Sequence, residues 1–409
     1  MPSKRNALTM FTLIIAGEAI FFLPFVLPRV FRPTLLEVFQ ITNLELGLAF
    51  SFYGIVAMAS YFFGGPLADR LAPRFLMTLA MFSTSIGGIF MFFVPDESGL
   101  RWLYGFWGLT SIFLFWAAMI KATREWGGHN FQGRAFGILD AGRGLWGAIA
   151  GSASVFVLAW FLPDNASLTE LKNAFQYVIL FFSVMTLLVS GLIWLTLKNE
   201  NKGARLEHVS ISMVIKVIRM PTIWLQAGIL VCAYVGYKAT DDFSLYAKEV
   251  LGYDDVASAN VGTFSLWVRP IGALLAGFVA DKFTISKITQ WCFLLLTLGA
   301  LMIGTGLVSL HIYFMLGMTI VSAGIGVYGL RGLYYAIMQE GKVPLALTGT
   351  AVGVVSVIGY TPDIFFGPLM GFVLDTYPGP TGHQYLFLIM AGFGLLGIVL
   401  SWLFRKVSP

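Results

Sequence analysis

Eight ionisable side chains stand inside long apolar runs: Glu18, Asp140, Arg143, Lys238, Asp241, Asp242, Arg269 and Asp363. An ionised group at the centre of a hydrocarbon layer costs about 2.5 to 3.5 kcal/mol on insertion scales, so residues of this kind face a cavity or a partner. A carboxylic acid at such depth is suited to carry a proton. A guanidinium offers a planar fork that grips carboxylate or phosphate with two hydrogen bonds. The chemistry on offer is therefore proton carriage and anion binding. Bond-making chemistry has no support: there is no nucleophile with a base, no metal set and no phosphate loop, and no cofactor is expected. His129, His208, His311 and His383 fall in or beside loops without metal-ligand spacing.

Each candidate has two readings. Glu18 sits near the middle of its run, as a proton carrier or as a carboxyl that only hydrogen-bonds a neighbouring helix. Asp140 and Arg143 are spaced i, i+3 and so share a helix face, where Arg143 grips an anion or the pair neutralises itself at a glycine-lined packing seam (Gly142, Gly144, Gly147). Arg269, followed by Pro270, is the best single anion ligand, or else a structural partner of Asp363. Lys238 stands with the binding residues and can also pair locally with Asp241. Asp363 follows Pro362, where a broken helix exposes carbonyls to a cavity. Tyr237 and Tyr360, with Tyr53, Trp116, Trp146 and Trp267, are aromatic candidates for the lining.

The elements that must position these groups are membrane spans. Hydrophobic residues make up 57% of the chain and charged ones 11%, with mean hydropathy +0.80; a soluble domain is nearer 25% charged. Runs of roughly 20 apolar residues, the length that crosses a bilayer as helix, occur near 8–29, 45–67, 75–94, 101–122, 135–161, 171–197, 221–247, 256–280, 287–308, 311–335, 345–375 and 384–404. The seventh and eleventh are long enough to be tilted or broken. The first is expected to be a retained helix and not a signal peptide. Placing the amino terminus in the cytoplasm puts eighteen of the 26 Lys and Arg on that side, five opposite (Arg29, Arg32, Arg101, Lys172, Lys248) and three at membrane depth. Both termini are then cytoplasmic. Cys232 and Cys292 lie in apolar runs and suggest no disulfide.

The chain repeats. Gly64-Gly65-Pro66-Leu67-Ala68-Asp69-Arg70 returns more weakly as Gly277-Phe278-Val279-Ala280-Asp281-Lys282, and Gly133-Arg134-Ala135-Phe136-Gly137 as Gly349-Thr350-Ala351-Val352-Gly353, at offsets of 212 and 216 residues. The expected organisation is an all-α membrane protein of twelve transmembrane helices in two pseudo-symmetric halves. Residues 1–197 and 221–409 form the halves. Residues 198–220 form a cytoplasmic linker, whose part from Val209 to Arg219 suits an interfacial helix.

Twelve spans, the duplication, the central linker and Gly-x-Leu-Ala-Asp-Arg between spans two and three resemble the major facilitator superfamily of secondary transporters. The motif departs from the family pattern at Ala72 and Pro73. The resemblance implies that Asp69, Arg70, Arg74, Glu125 and Arg134 form a cytoplasmic gating cluster, with Asp281, Lys282 and Glu340 as second-half counterparts. The stretches Gly133–Gly147 and Thr348–Gly359 look like those of the branch containing nitrate, organic-anion and organophosphate carriers. Neither substrate carries over: organophosphate carriers have arginines on spans one and seven, where this chain has Glu18 and Lys238, and of the nitrate carriers' pair only Arg269 is present.

The reading is a proton-coupled symporter of a small organic anion working by alternating access, in which Arg269 and Arg143 bind the anion and Glu18, Asp363 and Asp140 handle the proton. It is expected to be monomeric, in a bacterial inner membrane, with substrate, protons and lipid as partners and no nucleic acid. The alternative is proton-driven export of drug-like or cationic compounds, for which the five acidic groups at membrane depth speak. A receptor that has lost transport is a further rival, and an enzyme is the least favoured.

Overall fold

A computed structural model describes residues 7–128, 132–198, 211–280, 282–308, 313–341, 343 and 348–408. Asp281, His129, His208 and His311 lie outside the described residues, as does the linker segment 199–210. Every regular element among the described residues is helical. Among the described residues, ten helices are long and apolar enough to cross a membrane, and the pair Ala7–Ala19 and Phe22–Val30, bent by 42°, makes an eleventh span if taken as one. The seventh expected span, Pro221–Ala239, is helical and carries Gln226 and Lys238 within its apolar run. It continues through a 3-10 turn, Thr240–Asp242, into Phe243–Glu249. The eleventh expected span is likewise interrupted, as Thr348–Gly359 followed by Pro362–Thr376.

Contacts divide the chain into two compact units, residues 1–206 with 254–266, and residues 207–253 with 267–409. In the first unit, the bend of the opening span has an identifiable cause. The chain widens into a π-helical stretch at Phe22–Val26 that contains Pro24, and π-bulges and prolines are the usual origins of sharp kinks. Helix starts are written in polar residues. Thr42 accepts from the Glu45 amide at 3.2 Å while Glu45 accepts from the Thr42 amide at 2.7 Å, and Ser167 and Glu170 form the same reciprocal box ahead of Leu168–Thr196. Each cap is worth about 0.5 to 2 kcal/mol. The fourth span, Glu97–Gly127, begins at the Asp96 cap and passes through a π-helical stretch at Leu109–Trp116.

In the second unit, Ile285–Gly304 and Tyr313–Leu333 approach until their backbones touch. A Cβ on Gly299 would lie 2.6 Å from the Ala323 amide nitrogen, and one on Gly326 would lie 2.5 Å from the Cys292 carbonyl oxygen. Between helices in lipid, close van der Waals packing of this kind replaces the hydrophobic drive available in water. The linker contributes a short helix, Ile211–Ile218, and Trp224 Nε1 donates to the Ile218 carbonyl at 2.8 Å. Cys232 and Cys292 are both free and buried.

Candidate functional site

In the first unit, Glu18 is the penultimate residue of Ala7–Ala19, just before the bend, and is 3% exposed. Arg143 comes from Gln132–Phe161 and is 7% exposed. Its Nε lies 3.4 Å from Glu18 Oε2 and donates to the Gly17 carbonyl at 2.9 Å. Glycine makes this approach possible: a Cβ on Gly147 would stand 2.9 Å from Glu18 Oε1. The guanidinium sits 5.7 Å from the ring centroids of both Phe21 and Trp116, within cation–π range. Asp140 Oδ1 is 3.9 Å from Arg143 Nη1, on a side chain that is 45% exposed. Two expectations change. Glu18 is not a lone carboxylate but the closer partner of Arg143, and Asp140 is not buried but stands at the edge of the pair.

In the second unit, Lys238 lies in the last turn of Pro221–Ala239 and Asp363 in the first turn of Pro362–Thr376. A cation at a helix C-terminus and an anion at an N-terminus both complement the peptide dipoles. Lys238 Nζ is 3.3 Å from Asp363 Oδ1, and the Tyr234 hydroxyl donates to Oδ1 and Oδ2 at 3.2 and 3.0 Å. Asp363 thus takes Lys238, and not Arg269, as its ion-pair partner. Around it are tyrosines: Tyr234 packs edge-on against Tyr360, the Tyr334 and Tyr335 hydroxyls each lie 3.2 Å from the Tyr360 hydroxyl, and Arg331 Cζ stands 4.1 Å over the Tyr237 ring. Arg269 is 6% exposed within Asp255–Ala280, a helix that runs on through Pro270.

Three residues that matter here are not legible as such in the sequence. Tyr234 is signalled only by its i, i+4 spacing to Lys238. Arg331 reads as a cytoplasmic basic residue at a span end. His383, which the sequence assigns to a loop margin, is fully buried in the first turn of Pro380–Val407, with Nδ1 2.6 Å from Asp242 Oδ2 and Nε2 3.2 Å from Glu249 Oε2. Arg29 and Arg32, assigned to the aqueous face, are buried too, and Arg32 donates to Asn43 Oδ1 through Nε and Nη2 at 3.1 and 2.8 Å.

Of the gating candidates, Arg70, Glu125, Arg134 and Lys282 are exposed. Arg74 Cζ lies 4.2 Å over the Trp194 ring. The Asp69 side chain and all of Asp281 lie outside the described residues. Glu340 receives the Ser286 amide at 3.3 and 3.2 Å on its two oxygens, and so satisfies the start of Ile285–Gly304. That position gives Glu340 a capping role whatever its part in gating.

The two ion pairs are repeats of one another. From Glu18 to Lys238 and from Arg143 to Asp363 the separation is in each case 220 residues, close to the 212 and 216 of the motif echoes. Spans one and five pair in the first unit as spans seven and eleven do in the second, with the signs of charge exchanged. The Major Facilitator Superfamily model matches residues 9–367. The chain belongs to that superfamily. It is therefore a transporter-family membrane protein and not an enzyme. It is 27% identical to the Escherichia coli inner membrane protein YqcE over 99% of this chain and 96% of that one. Two partial likenesses point to named roles. The E. coli membrane sensor protein UhpC is 27% identical over 61% of this chain and 59% of its own. The probable nitrate transporter NarT of Staphylococcus haemolyticus is 32% identical over 39% and 40%. Among solved structures, the nucleoside transporter NupG aligns with 98% of this chain and 99% of its own at TM-score 0.72 and 14% identity, a likeness of fold. As a member of the superfamily, the chain has the twelve-helix fold.

Proposed function

We propose that this protein is a proton-coupled symporter of a small organic anion, with both termini in the cytoplasm. The observation that carries the reading is the repeated buried carboxylate–cation pair, Glu18 with Arg143 and Asp363 with Lys238. Such a pair links proton and anion. While the carboxylate is ionised it occupies the cation. Once a proton neutralises it, the cation is released to an incoming anionic group, and the empty site would otherwise leave a buried charge uncompensated. Proton and anion then bind together, the requirement of symport. Lys238 and Arg143 are the coupled cations, Arg269 is the fixed anion ligand, and Tyr237, Tyr360 and Arg331 shape the second-unit site. Asp140, half exposed beside Arg143, is the point at which a proton reaches the Glu18 pair from water. The likeness to NarT, whose name gives it an inorganic anion, favours an anionic solute over a cationic drug.

The test is a thermal-shift screen of the purified protein against small carboxylates, sugar phosphates, inorganic anions, polyols and organic cations at two pH values. A ligand present at a hundred times its Kd raises stability by about 2.7 kcal/mol. Stabilisation by an anion, greater at the lower pH and lost in Arg269→Ala, is the expected result. Stabilisation only by cations or neutral solutes would overturn the assignment. The likeness to UhpC gives one second reading weight, a sensor that binds without transporting. Proteoliposome uptake of the stabilising anion separates the two, since a sensor accumulates none.

A further inference from the structure

His383 belongs to neither ion pair, yet its surroundings are those of a proton-conducting group. Both ring nitrogens face carboxylates: Nδ1 is 2.6 Å from Asp242 Oδ2 and Nε2 is 3.2 Å from Glu249 Oε2. The three groups are strung in a line through the imidazole and do not converge on a point, which suits transfer along the line and not metal binding. Exposure is graded along that line. The Glu249 side chain is 39% exposed, whereas those of His383 and Asp242 are 0% exposed. The inner end is unfinished, because Asp242 Oδ1 is buried and accepts no hydrogen bond within the described residues. Asp242 stands in the 3-10 turn that interrupts the seventh span, four residues after Lys238. Four residues along a helix bring two side chains to about 5 to 6 Å between Cβ atoms, and the adjacent Asp241 is within electrostatic reach of Asp363.

We infer that Glu249, His383 and Asp242 form a proton relay that connects water at the end of the second unit remote from the carboxy terminus to the Lys238–Asp363 pair. In each step Glu249 passes its proton to His383 Nε2 while Nδ1 releases its own to Asp242 Oδ2. In this exchange the ring takes up one proton as it gives one, only N–H and O–H bonds are exchanged, and Glu249 is reprotonated from water at its exposed side. A half-turn of the ring, or a transfer in the opposite sense, restores the starting tautomer. The protonated Asp242 carboxyl then turns about its Cβ–Cγ bond, which carries the new O–H to the side where Oδ1 had no hydrogen bond, and from there releases the proton toward Asp363. The groups that face the ring are Asp242, Glu249 and Tyr246. The last packs edge-on with centroids 5.4 Å apart, and its hydroxyl is committed to the Val308 carbonyl at 2.9 Å. No other charged side chain contacts the ring among the described residues. The ninth and eleventh spans, which also pack against Pro380–Val407, present none to it.

The inference rests on the proton-coupling reading of Asp363, and the test keeps the two apart. The probe is the proton itself: a rapid pH drop applied to purified protein in nanodiscs, followed by time-resolved infrared absorption of the Asp363 carboxyl band, identified by its absence in Asp363→Asn. The relay predicts that Asp363 protonates in the unaltered protein and that His383→Gln slows this at least about tenfold, as expected when a positioned acid–base group is lost. Glu249→Gln keeps the buried His383–Asp242 contact and covers the case in which the histidine variant fails to fold. It should slow the step in the same way, with Glu249→Asp restoring much of the rate. Equal rates in both variants and the unaltered protein would overturn the relay and leave Asp363 as the coupling group. An Asp363 band that never titrates would remove the coupling reading and the relay with it.

Discussion

Glu18 Oε2 and Arg143 Nε lie 3.4 Å apart in a notch that Gly147 leaves open, with both side chains buried. Breaking such a pair from one side strands a charge and costs about 3 to 5 kcal/mol, while replacing both members by neutral groups of like volume is often close to neutral. Glu18→Gln and Arg143→Met should therefore each lower the unfolding temperature in detergent. The double variant should recover most of the loss. A double variant as unstable as the sum of the singles would show that the two do not act as a pair.

The second pair makes a prediction about pH. If a proton on Asp363 frees Lys238, anion binding strengthens as pH falls, because the anion and the proton enter together. Asp363→Asn mimics the protonated state permanently, so binding of the stabilising anion should remain strong and lose the part of its pH dependence that this pair contributes, leaving only that of the Glu18 pair. Isothermal titration at two pH values reads this directly. A pH dependence undiminished in Asp363→Asn would remove Asp363 from the coupling and leave Glu18 to carry it.

Glu340 was implicated in gating by family resemblance, whereas its two oxygens receive the Ser286 amide. Cap and gate separate by substitution. Glu340→Gln keeps an acceptor and should retain stability, while Glu340→Ala should cost about 0.5 to 2 kcal/mol, the usual loss on removing a helix cap. Melting curves of the two variants decide: equal losses would show that the charge and not the acceptor matters.

Backbone contact between the ninth and tenth spans predicts an uneven glycine scan. In Gly326→Ala the new methyl group meets the Cys292 carbonyl at 2.5 Å and the Leu296 amide nitrogen at 2.6 Å, so the helices must separate. Gly353→Ala meets nothing within 4 Å and, in a helix, should be neutral or mildly stabilising. Thermal unfolding followed by size-exclusion chromatography compares them, and similar behaviour would contradict the close approach.

The helical architecture was legible because apolar run length states it directly, and the interruptions of the seventh and eleventh spans fall in runs long enough to be tilted or broken. Partnerships were legible only where they are local. Asp140 and Arg143, one turn apart, could be paired from spacing and do lie 3.9 Å apart; Glu18 and Arg143, 125 residues apart, could not, although Glu18 is the closer partner. The burial of Arg29 and Arg32 was not legible because they follow the first apolar run, where basic residues ordinarily meet water. Here the chain turns back through Arg32–Phe39 and the fork of Arg32 closes on Asn43. His383 was missed because one histidine near a span end has no pattern. Its meaning comes from Asp242, 141 residues away.

The touching backbones at Gly299 and Gly326 bear on how the second unit can flex. At these two glycines no side chain separates the backbones of the ninth and tenth spans, so there is little soft material to compress there and the two helices are expected to move together. Compliance is left to the interrupted spans seven and eleven, whose breaks at Thr240–Asp242 and Tyr360–Thr361 flank the Lys238–Asp363 pair. The Lys238–Asp363 pair thus joins the two interrupted elements, and on the proposed coupling a proton on Asp363 would loosen a clasp across the joint itself.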